Sequence, residues 1–350
     1  MKKNVLIDMH RLKNNPYNGL YIFSCGLGKA LAAVNNDEIN LHFYLPKNFF
    51  GFFGEQFQYV RHRSRDKIFM LGTEKYDVWH ITAQISWYRP FNKKTKVVYT
   101  IHDINFLIEE KENVKRNRRL LRNIQKRIDR ADFITCISKY TLSTVHEHLQ
   151  LGNKPMAVIY NGCDVRNYPD FDNPVYRPPK PFLFSLGLVE PRKNLHVLPP
   201  LLHGNDYELI IAGINNHPYA KEVIAAAESY GIANRIKLIG AIDEQNKYWY
   251  YKNCEAFLFP SYAEGFGLPV IEAMHYGKPV FISTETCLPE IGGDAAYYFH
   301  SFEPSEMKKV FTEGMQHYRH TQPQQQIKER AAFFSWHKAA QEYINVYKQL

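Results

Sequence analysis

Two glutamates, Glu264 and Glu272, lie on either side of a glycine-bearing loop and the start of a predicted helix. Pro269 suits the first turn of that helix, and Gly277 suits its end. A helix N-terminus behind a glycine loop binds anions through its free backbone N–H groups. Carboxylates beside a phosphate would repel it, so these two are better suited to accept hydrogen bonds from hydroxyl groups. The pattern therefore predicts a ligand that carries both phosphate and hydroxyl groups, as a sugar nucleotide does.

The residues between the two glutamates are further candidates for ligand contact. Because glycine has no side chain, the backbone N–H groups of this loop can approach a ligand closely. We expect substrate contacts from Gly265, Phe266, Gly267 and Leu268. The alternative interpretation is a capped surface helix that carries two ordinary glutamates.

A second candidate phosphate site follows the apolar run Phe182–Leu186. Gly187 makes a turn directly after this predicted strand, and Arg192 and Lys193 come a few residues later. Ligands of open parallel sheets collect beyond the carboxyl ends of the strands, where two adjacent cations suit a diphosphate. Two surface cations without a role are the alternative.

The segment EGFGLPVIEAM (264–274), together with LPE at 288–290, resembles the E-x7-E signature of the retaining glycosyltransferases of family four. That family has the GT-B fold. The resemblance implies that Glu264 lies near the donor hexose and Glu272 near the nucleotide ribose. It extends over nearly the whole chain, is strongest over residues 182–290 and is weakest before His102.

The segment GLVEPRKN (187–194) resembles the phosphate-binding segment of the same family. The resemblance implies that Lys193 and Arg192 hold the donor diphosphate. Many members carry an arginine directly after the glycine, where this chain has Leu188. The remaining two cations must therefore bind the diphosphate without that residue.

Three residues of the N-terminal half are also candidates for substrate contact. His102 follows the predicted strand Val97–Ile101, at the edge where ligands collect, and the resemblance implies that it approaches the donor sugar or the acceptor. A strand-end histidine that merely satisfies hydrogen bonds is the alternative. Gly19 ends a turn-rich loop at residues 14–19. The resemblance implies that this glycine closely approaches the donor, and a plain flexible turn is the alternative. Asn161 begins a segment, with Gly162 and Asp164, that resembles the N-G-x-D segment of the family.

The length and the strand pattern predict two α/β domains. A chain of 350 residues exceeds the usual size of one domain, and apolar runs alternate with helical patterns, which predicts parallel sheets. The first strand lacks a GxGxxG motif, which disfavours a dinucleotide-binding oxidoreductase. We predict a GT-B fold, with two Rossmann-like doubly wound parallel-sheet domains that face each other across a cleft. The predicted segments are an acceptor domain at 1–168, a proline-rich linker at 169–181, a donor domain at 182–336 and a helix at 337–350 that returns to the first domain.

The net charge of +9 implies attraction to polyanions. The sequence of residues 114–130 predicts a strongly basic helix. Its predicted apolar stripe is Val114, Leu121, Ile124 and Ile128. The remaining surface carries Lys115, Arg116, Arg118, Arg119, Arg122, Lys126, Arg127 and Arg130. Such a helix suits an anionic membrane surface or an acidic acceptor, and a solvated helix face is the alternative.

No metal or cofactor is expected. The five cysteines are scattered without metal-binding spacing, and the motif Asp170-Phe171-Asp172 lies in the proline-rich linker rather than after a strand. The chain begins in a strand pattern rather than a signal peptide, and no apolar run is long enough to span a bilayer. We therefore expect a cytoplasmic protein that associates with the inner face of the membrane.

The predicted function is metal-independent transfer of a sugar, such as mannose, with retention of configuration. The donor is a nucleotide diphosphate sugar, and the acceptor is a glycan or a lipid-linked molecule, with no nucleic-acid partner. The alternatives are a sugar-nucleotide epimerase of the same fold, a phosphorylase, and a non-catalytic membrane-associated binder of glycans or nucleic acid. A phosphorylase would need a pyridoxal-binding lysine, which nothing in the sequence marks.

Overall fold

The computed structural model describes residues 2–13 and 18–350, so most of the predicted loop at 14–19 lies outside the described residues. The chain forms two compact units. The first runs to Gly162 and is completed by Phe334–Leu350, and the second is Cys163–Phe333. The junction therefore precedes the predicted boundary at 168, and the proline-rich segment 169–181 belongs to the second unit.

The described residues form thirteen strands. They are β1 (Asn4–Asp8), β2 (Asn40–Leu45), β3 (Gln58–Arg61), β4 (Val78–Ile81), β5 (Lys96–Ile101), β6 (Phe133–Cys136), β7 (Met156–Val158), β8 (Phe182–Leu186), β9 (Glu208–Ala212), β10 (Ile236–Gly240), β11 (Ala256–Phe259), β12 (Val280–Ser283) and β13 (Tyr297–Phe299).

The α-helices of the described chain cover both units. They are α1 (Gly19–Val34), α2 (Phe106–Glu109), α3 (Val114–Arg130), α4 (Lys139–His148), α5 (Tyr219–Ser229), α6 (Glu244–Asn253), α7 (Leu268–His275), α8 (Leu288–Gly292), α9 (Pro304–Thr321), α10 (Gln324–Ala332) and α11 (Trp336–Gln349). Side-chain caps begin several of them; Ser138, for example, accepts a hydrogen bond from the backbone N–H of Thr141. Within residues 2–13 and 18–350, no helix is long and apolar enough to cross a membrane.

Each unit contains one parallel sheet. The strand order is β3-β2-β1-β4-β5-β6-β7 in the first unit and β10-β9-β8-β11-β12-β13 in the second. Most strands are continuous apolar runs because helices cover both faces of a parallel sheet. The order reverses direction beside β1 and beside β8, which is typical of a doubly wound sheet. The predicted α/β class with two Rossmann-like parallel sheets is confirmed.

Three short strands, β3, β12 and β13, were not predicted. Strand β3 has no fully buried residue and lies at the edge of its sheet, so it lacks the apolar run that marks the central strands. Strand β13 is only three residues long and also lies at an edge. Strand β7 is Met156–Val158, whereas the sequence predicts the last strand and turn of the first domain at 158–162.

Helix α11 belongs to the first unit and packs against α1. Its aromatic residues enter the interior: the Tyr347 hydroxyl lies 2.7 Å from His80 Nδ1, and the Tyr343 hydroxyl lies 3.2 Å from Thr100 Oγ1. A Cβ on Gly162 would overlap the backbone of Trp336. Gly162 therefore permits the close approach of the chain at the start of α11.

Helix α3 has the predicted bounds, but its buried stripe differs from the prediction. Val114 is exposed, and Asn117 is buried instead. The Asn117 side chain donates a hydrogen bond of 2.8 Å to the carbonyl oxygen of Glu110. Asn117 therefore takes a buried place beside the predicted stripe, with Nδ2 bonded and Oδ1 without a hydrogen-bond partner among the described residues.

Candidate active site

The carboxyl ends of β8 and β11 carry the predicted donor residues of the second unit. These two strands are neighbours in the sheet and run in the same direction. After β8 the chain turns at Gly187 and forms a short 3-10 turn, Pro191–Lys193. After β11 it enters the loop that contains Glu264. The order of the sheet thus brings together two segments that are far apart in sequence.

Lys193 and Glu264 form a buried ion pair. The Lys193 Nζ donates to Glu264 Oε1 at 2.6 Å, and the two side chains are only 7% and 9% exposed. The same ammonium group lies 4.5 Å from the centroid of the Phe259 ring, a favourable position for a cation. The predicted sugar-binding carboxylate and the predicted diphosphate-binding cation therefore contact each other directly.

Arg192 lies between two carboxylates. Its Nε donates to Glu190 Oε1 at 2.5 Å, and its Nη1 lies 3.4 Å from Glu264 Oε2. Nη1 also donates to the carbonyl oxygen of Ala263 at 3.1 Å. Glu190 stands in the same motif but was not predicted as a site residue. The two cations therefore face two carboxylates, and an incoming diphosphate must share them or compete with them.

Charge and burial act in opposite directions on the pKa of Glu264. Burial alone would raise the pKa of this carboxyl group, but Lys193 and Arg192 outweigh burial and lower it. Burial lowers the pKa of Lys193, and Glu264 offsets only part of that effect. Glu264 is consequently ionised at neutral pH and can accept hydrogen bonds from sugar hydroxyls.

Gly187 provides the space for the Lys193 side chain. Its φ of +155° is one that other residues rarely adopt, and an added Cβ would lie 3.0 Å from Lys193 Cε. A Cβ on Gly213 would in turn overlap the carbonyl oxygen of Gly187. The two glycines thus allow β8, β9 and the cationic turn to pack closely at this edge.

The N-terminus of α7 follows the Glu264 loop. Gly267 is its N-cap, with a φ of +98°, and no side chain caps the helix. Helix α7 begins at Leu268. Pro269 has no N–H and the Val270 N–H donates to the Gly267 carbonyl oxygen at 3.0 Å, so the N–H groups that remain at this end are those of Gly267 and Leu268. Phe266 is buried, and Gly265 is partly exposed. The backbone N–H groups and the positive end of the helix dipole are therefore available for an anion.

Glu272 belongs to a separate cluster. Its Oε1 accepts from Lys247 Nζ at 2.7 Å, and its Oε2 accepts from the Tyr251 hydroxyl at 2.7 Å. Burial opposes the charge of Lys247, but Glu272 and Glu244 outweigh it and raise the pKa of this ammonium group. These residues line a crevice of about 10 Å³, which is too small for a ribose.

Lys247 and Tyr251 lie on α6 and were not predicted as partners of Glu272. Their signal is a lysine and a tyrosine four positions apart on a helix, which places them on one face. That spacing shows which face they share, but it does not show which element covers the face.

In the first unit, His102 lies at the carboxyl end of β5 and is buried. Its Nε2 donates to the carbonyl oxygen of Thr82 at 2.7 Å, and the Phe23 ring packs edge-on at 4.6 Å between centroids. Burial lowers the pKa of His102 to about 4, an effect that the Thr82 hydrogen bond only partly offsets. The imidazole is therefore neutral at pH 7. Because Nε2 carries the proton, Nδ1 is the acceptor nitrogen.

Asn161 and Gly19 are the other candidates of the first unit. The Asn161 side-chain oxygen is buried and has no hydrogen-bond partner within the described chain. Gly19 is the first residue of α1, and a Cβ added there would meet no atom within 4 Å. Packing among the described residues does not require a glycine at this position.

A buried network at the end of β1 was missed from the sequence. Asp8 Oδ1 lies 2.6 Å from His10 Nδ1, and Asp8 Oδ2 accepts from the Ser86 hydroxyl at 2.7 Å. Thr82 links this network to His102, since its hydroxyl donates to the Asp8 carbonyl and its carbonyl accepts from His102. The signal was present as an Asp-x-His at the end of a strand.

The described residues contain no group of three His, Cys, Asp or Glu side chains that could hold a metal ion. Asp172 of the Asp-Phe-Asp motif is exposed and pairs with Arg177 at 2.9 Å. It also accepts from Trp249 Nε1 at 2.8 Å. These contacts tie the carboxylate to the surface of the second unit.

Two family models match the chain. The model described as Glycosyltransferase Family 4 matches residues 20–167, and the model described as Glycosyl transferases group 1 matches residues 170–331. Together they leave out residues 1–19, 168–169 and 332–350.

Curated relatives and solved structures agree with these models. The serotype-specific mannosyltransferase WbdA of Escherichia coli is 28% identical over 63% of this chain, which corresponds to only 29% of WbdA. The O-antigen chain mannosyltransferase B of Escherichia coli is 26% identical over 76% of this chain and 73% of its own length. Anabaena HepE, solved with UDP and glucose, shares the fold with a TM-score of 0.67 at 17% identity, with full coverage of both chains.

Proposed function

Because this chain belongs to the glycosyltransferases of group 1 and family four, we propose that it transfers a hexose from a nucleotide diphosphate sugar with retention of configuration. The acceptor is a glycan or a lipid-linked molecule. Its mannosyltransferase relatives support a hexose of the mannose type, and the nucleotide-bound relative of the same fold supports a nucleotide donor. The observation that carries the proposal is the contact of Lys193, Arg192 and Glu264 beside the N-terminus of α7.

The proposed reaction is dissociative. As the glycosidic bond breaks, negative charge develops on the leaving diphosphate, and Lys193, Arg192 and the first N–H groups of α7 stabilise it. Glu264, ionised beside these cations, accepts hydrogen bonds from the hexose and favours the positive charge that develops on the sugar ring. The departing phosphate takes the proton of the acceptor hydroxyl. No residue is assigned as a covalent nucleophile, and no metal ion is required.

Two further residues have binding roles in this proposal. Glu272 retains lone pairs beyond those used by Lys247 and Tyr251, and these accept the ribose hydroxyls once the adjoining crevice opens. His102 is neutral and presents Nδ1 as an acceptor, so it binds a hydroxyl and cannot act as a general acid. The exposed cations of α3 attract an anionic membrane surface from which a lipid-linked acceptor is presented.

Thermal shift with UDP- and GDP-linked hexoses tests the donor class. A ligand that binds only the folded state raises the melting temperature, so one nucleotide family should stabilise the protein at concentrations above its dissociation constant. Lys193→Met should lose this shift, whereas Lys180→Met, at an exposed lysine elsewhere in the second unit, should keep it. The proposal fails if no nucleotide sugar stabilises the wild type, or if both variants respond equally.

A further inference from the structure

The first unit carries a cluster of large apolar side chains on its surface. Its members, here named the apolar patch, are Ile68, Phe69, Leu71, Trp87 and Phe91, which are between 39% and 82% exposed. Soluble domains rarely expose such a group of large apolar residues without a partner. The patch lies in the segments that follow β3 and β4, outside the buried network of Asp8 and His10.

The two segments of the patch are held together. The Phe69 and Phe91 rings are 6.2 Å apart between centroids. Asn92 Nδ2 donates to Thr73 Oγ1 at 2.9 Å, and Lys67 lies above the ring of Tyr88. The two segments that carry the exposed side chains are therefore adjacent on a defined backbone.

Helix α3 adjoins this surface. Arg127 Nε donates to the carbonyl oxygen of Ser86 at 2.6 Å, and its guanidinium lies 5.4 Å from the Trp87 ring centroid. Arg130 Nη2 donates to the carbonyl oxygen of Thr95 at 2.7 Å. These arginines anchor the patch segment, so they do not belong to the free cationic face that the sequence predicted. The exposed cations that remain on α3 are Lys115, Arg118, Arg119, Arg122 and Lys126.

The segments that carry the patch are themselves basic. Between positions 61 and 95 the cations are Arg61, Arg63, Arg65, Lys67, Lys75, Arg89, Lys93 and Lys94, and the acids are Asp66, Glu74 and Asp77. Asp66 is buried and accepts from the Tyr44 hydroxyl at 2.9 Å, so it contributes little to the surface. Aromatic and aliphatic side chains surrounded by lysine and arginine match the interface of a bilayer with anionic headgroups.

We infer that the apolar patch inserts into the interface of an anionic lipid bilayer, with the exposed cations of α3 and of residues 61–95 on the headgroups around it. This inference deepens the proposed function, because it names the surface on which a lipid-linked acceptor is met. The charge of α3 attracts the bilayer, and the patch supplies contacts that salt does not screen. Binding should therefore weaken with salt without disappearing.

Tryptophan fluorescence provides a direct probe of insertion. The chain has four tryptophans, of which Trp87 is 54% exposed, while Trp79, Trp249 and Trp336 are at most 6% exposed. Vesicles made of equal parts phosphatidylglycerol and phosphatidylcholine should shift the emission to shorter wavelength and protect it from iodide quenching. Trp87→Phe should abolish both signals while the protein still floats with the vesicles. An unchanged emission in the wild type at low salt overturns the inference without any variant.

Flotation separates the patch from the charge of α3. The double variant Ile68→Asp/Leu71→Asp should weaken vesicle binding by at least about tenfold and remove the binding that resists salt. The matched control Val175→Asp changes an exposed apolar residue of the second unit and should bind as the wild type does. Equal binding by the patch variant and the control contradicts insertion.

Two further measurements separate the competing outcomes. A concentration-dependent dimer that Ile68→Asp/Leu71→Asp abolishes would make the patch an interface between copies and overturn the inference. Donor hydrolysis without vesicles should be the same in the patch variant and the wild type. If the protein hydrolyses its donor but does not bind vesicles, only the membrane-binding inference is refuted. If it binds vesicles but does not use a donor, only the proposed function is refuted.

Discussion

Glu264→Gln removes the charge that neutralises Lys193 while it preserves the size of the side chain. Lys193 Nζ lies 2.6 Å from this carboxylate, and both side chains are almost fully buried. Removal of one partner from a buried ion pair leaves an uncompensated charge, which costs about 3–5 kcal/mol. We expect a loss near the lower end, about 3 kcal/mol, because the amide oxygen of glutamine still accepts a hydrogen bond.

The pairing predicts a non-additive double mutant. Lys193→Met should cost a similar free energy of unfolding, since it leaves Glu264 with the more distant Arg192 at 3.4 Å. The double variant Glu264→Gln/Lys193→Met contains neither charge, so it should be less destabilised than the sum of the single variants by about 2–3 kcal/mol. Glu190→Gln is the control, because Glu190 and Arg192 are more exposed and their pair should contribute at most about 1 kcal/mol.

Urea titration of the four variants and the wild type measures these differences, provided that the slope of each transition is unchanged. The same variants separate binding from catalysis. Glu264→Gln should bind the nucleoside diphosphate at least as tightly as the wild type, because it frees Lys193 from a competing carboxylate. Its kcat should fall by about 10²–10³-fold. Additive losses of stability, or a weaker affinity of Glu264→Gln for the diphosphate, would refute the reasoning.

Three further predictions concern binding and pH. Glu272→Ala should weaken nucleoside diphosphate binding, measured by calorimetry, by about 1.5–3 kcal/mol. The control is Glu244→Ala, which should have little effect because this carboxylate also contacts Lys247 but is 57% exposed. Equal losses of affinity in the two variants would contradict the ribose assignment. Because burial lowers the pKa of His102 to about 4, the pH profile of kcat/KM should show no ionisation near pH 6.5. An acidic limb near pH 6.5 that disappears in His102→Gln would disprove the assignment of His102 as a neutral hydrogen-bond acceptor. Burial also lowers the pKa of His80 to about 3. The unfolded chain therefore binds more protons than the folded chain below about pH 6.5, so the melting temperature should fall as the pH drops from about 6.5 to 4; a constant value would show that these histidines are not buried and neutral.

Most central strands could be predicted because a parallel sheet buries them on both faces, although the buried inner strand β12 (VFIS) was missed. Strand β11 (AFLF) and strand β5 (KVVYTI) are apolar runs that leave few alternatives. Edge strands lack this constraint. Strand β3 (QYVR) is partly exposed along its length, and its sequence resembles that of a surface loop.

The candidate site was only partly predictable. The motifs identified Glu264, Lys193 and Glu272, since glycines, prolines and charges follow apolar runs at fixed offsets. Which charges pair depends on tertiary packing: the neighbouring strands β8 and β11 bring Lys193 to Glu264, while α6 covers Glu272 with Lys247. No local pattern encodes which helix lies against α7.

The apolar patch was missed because its residues look like core residues. Ile68, Phe69 and Leu71 form a short apolar segment, which in most proteins is buried. In the structure they are exposed, and they follow a turn in which Asp66 accepts from the Arg63 backbone N–H at 3.1 Å. Exposure is a property of the whole fold, so the sequence of this segment cannot reveal it.

The most direct test of the central claim is the anomeric configuration of the first product formed from a nucleotide diphosphate α-hexose in the presence of EDTA. Rapid proton NMR can observe the hexose that slow donor hydrolysis releases before it mutarotates, as well as the glycoside formed with an added acceptor. We predict release of the nucleoside diphosphate and an α-configured product, at a rate that EDTA leaves unchanged and that Glu264→Gln lowers by about 10²-fold or more. A β-configured first product, or activity that EDTA abolishes and magnesium or manganese restores, would contradict it.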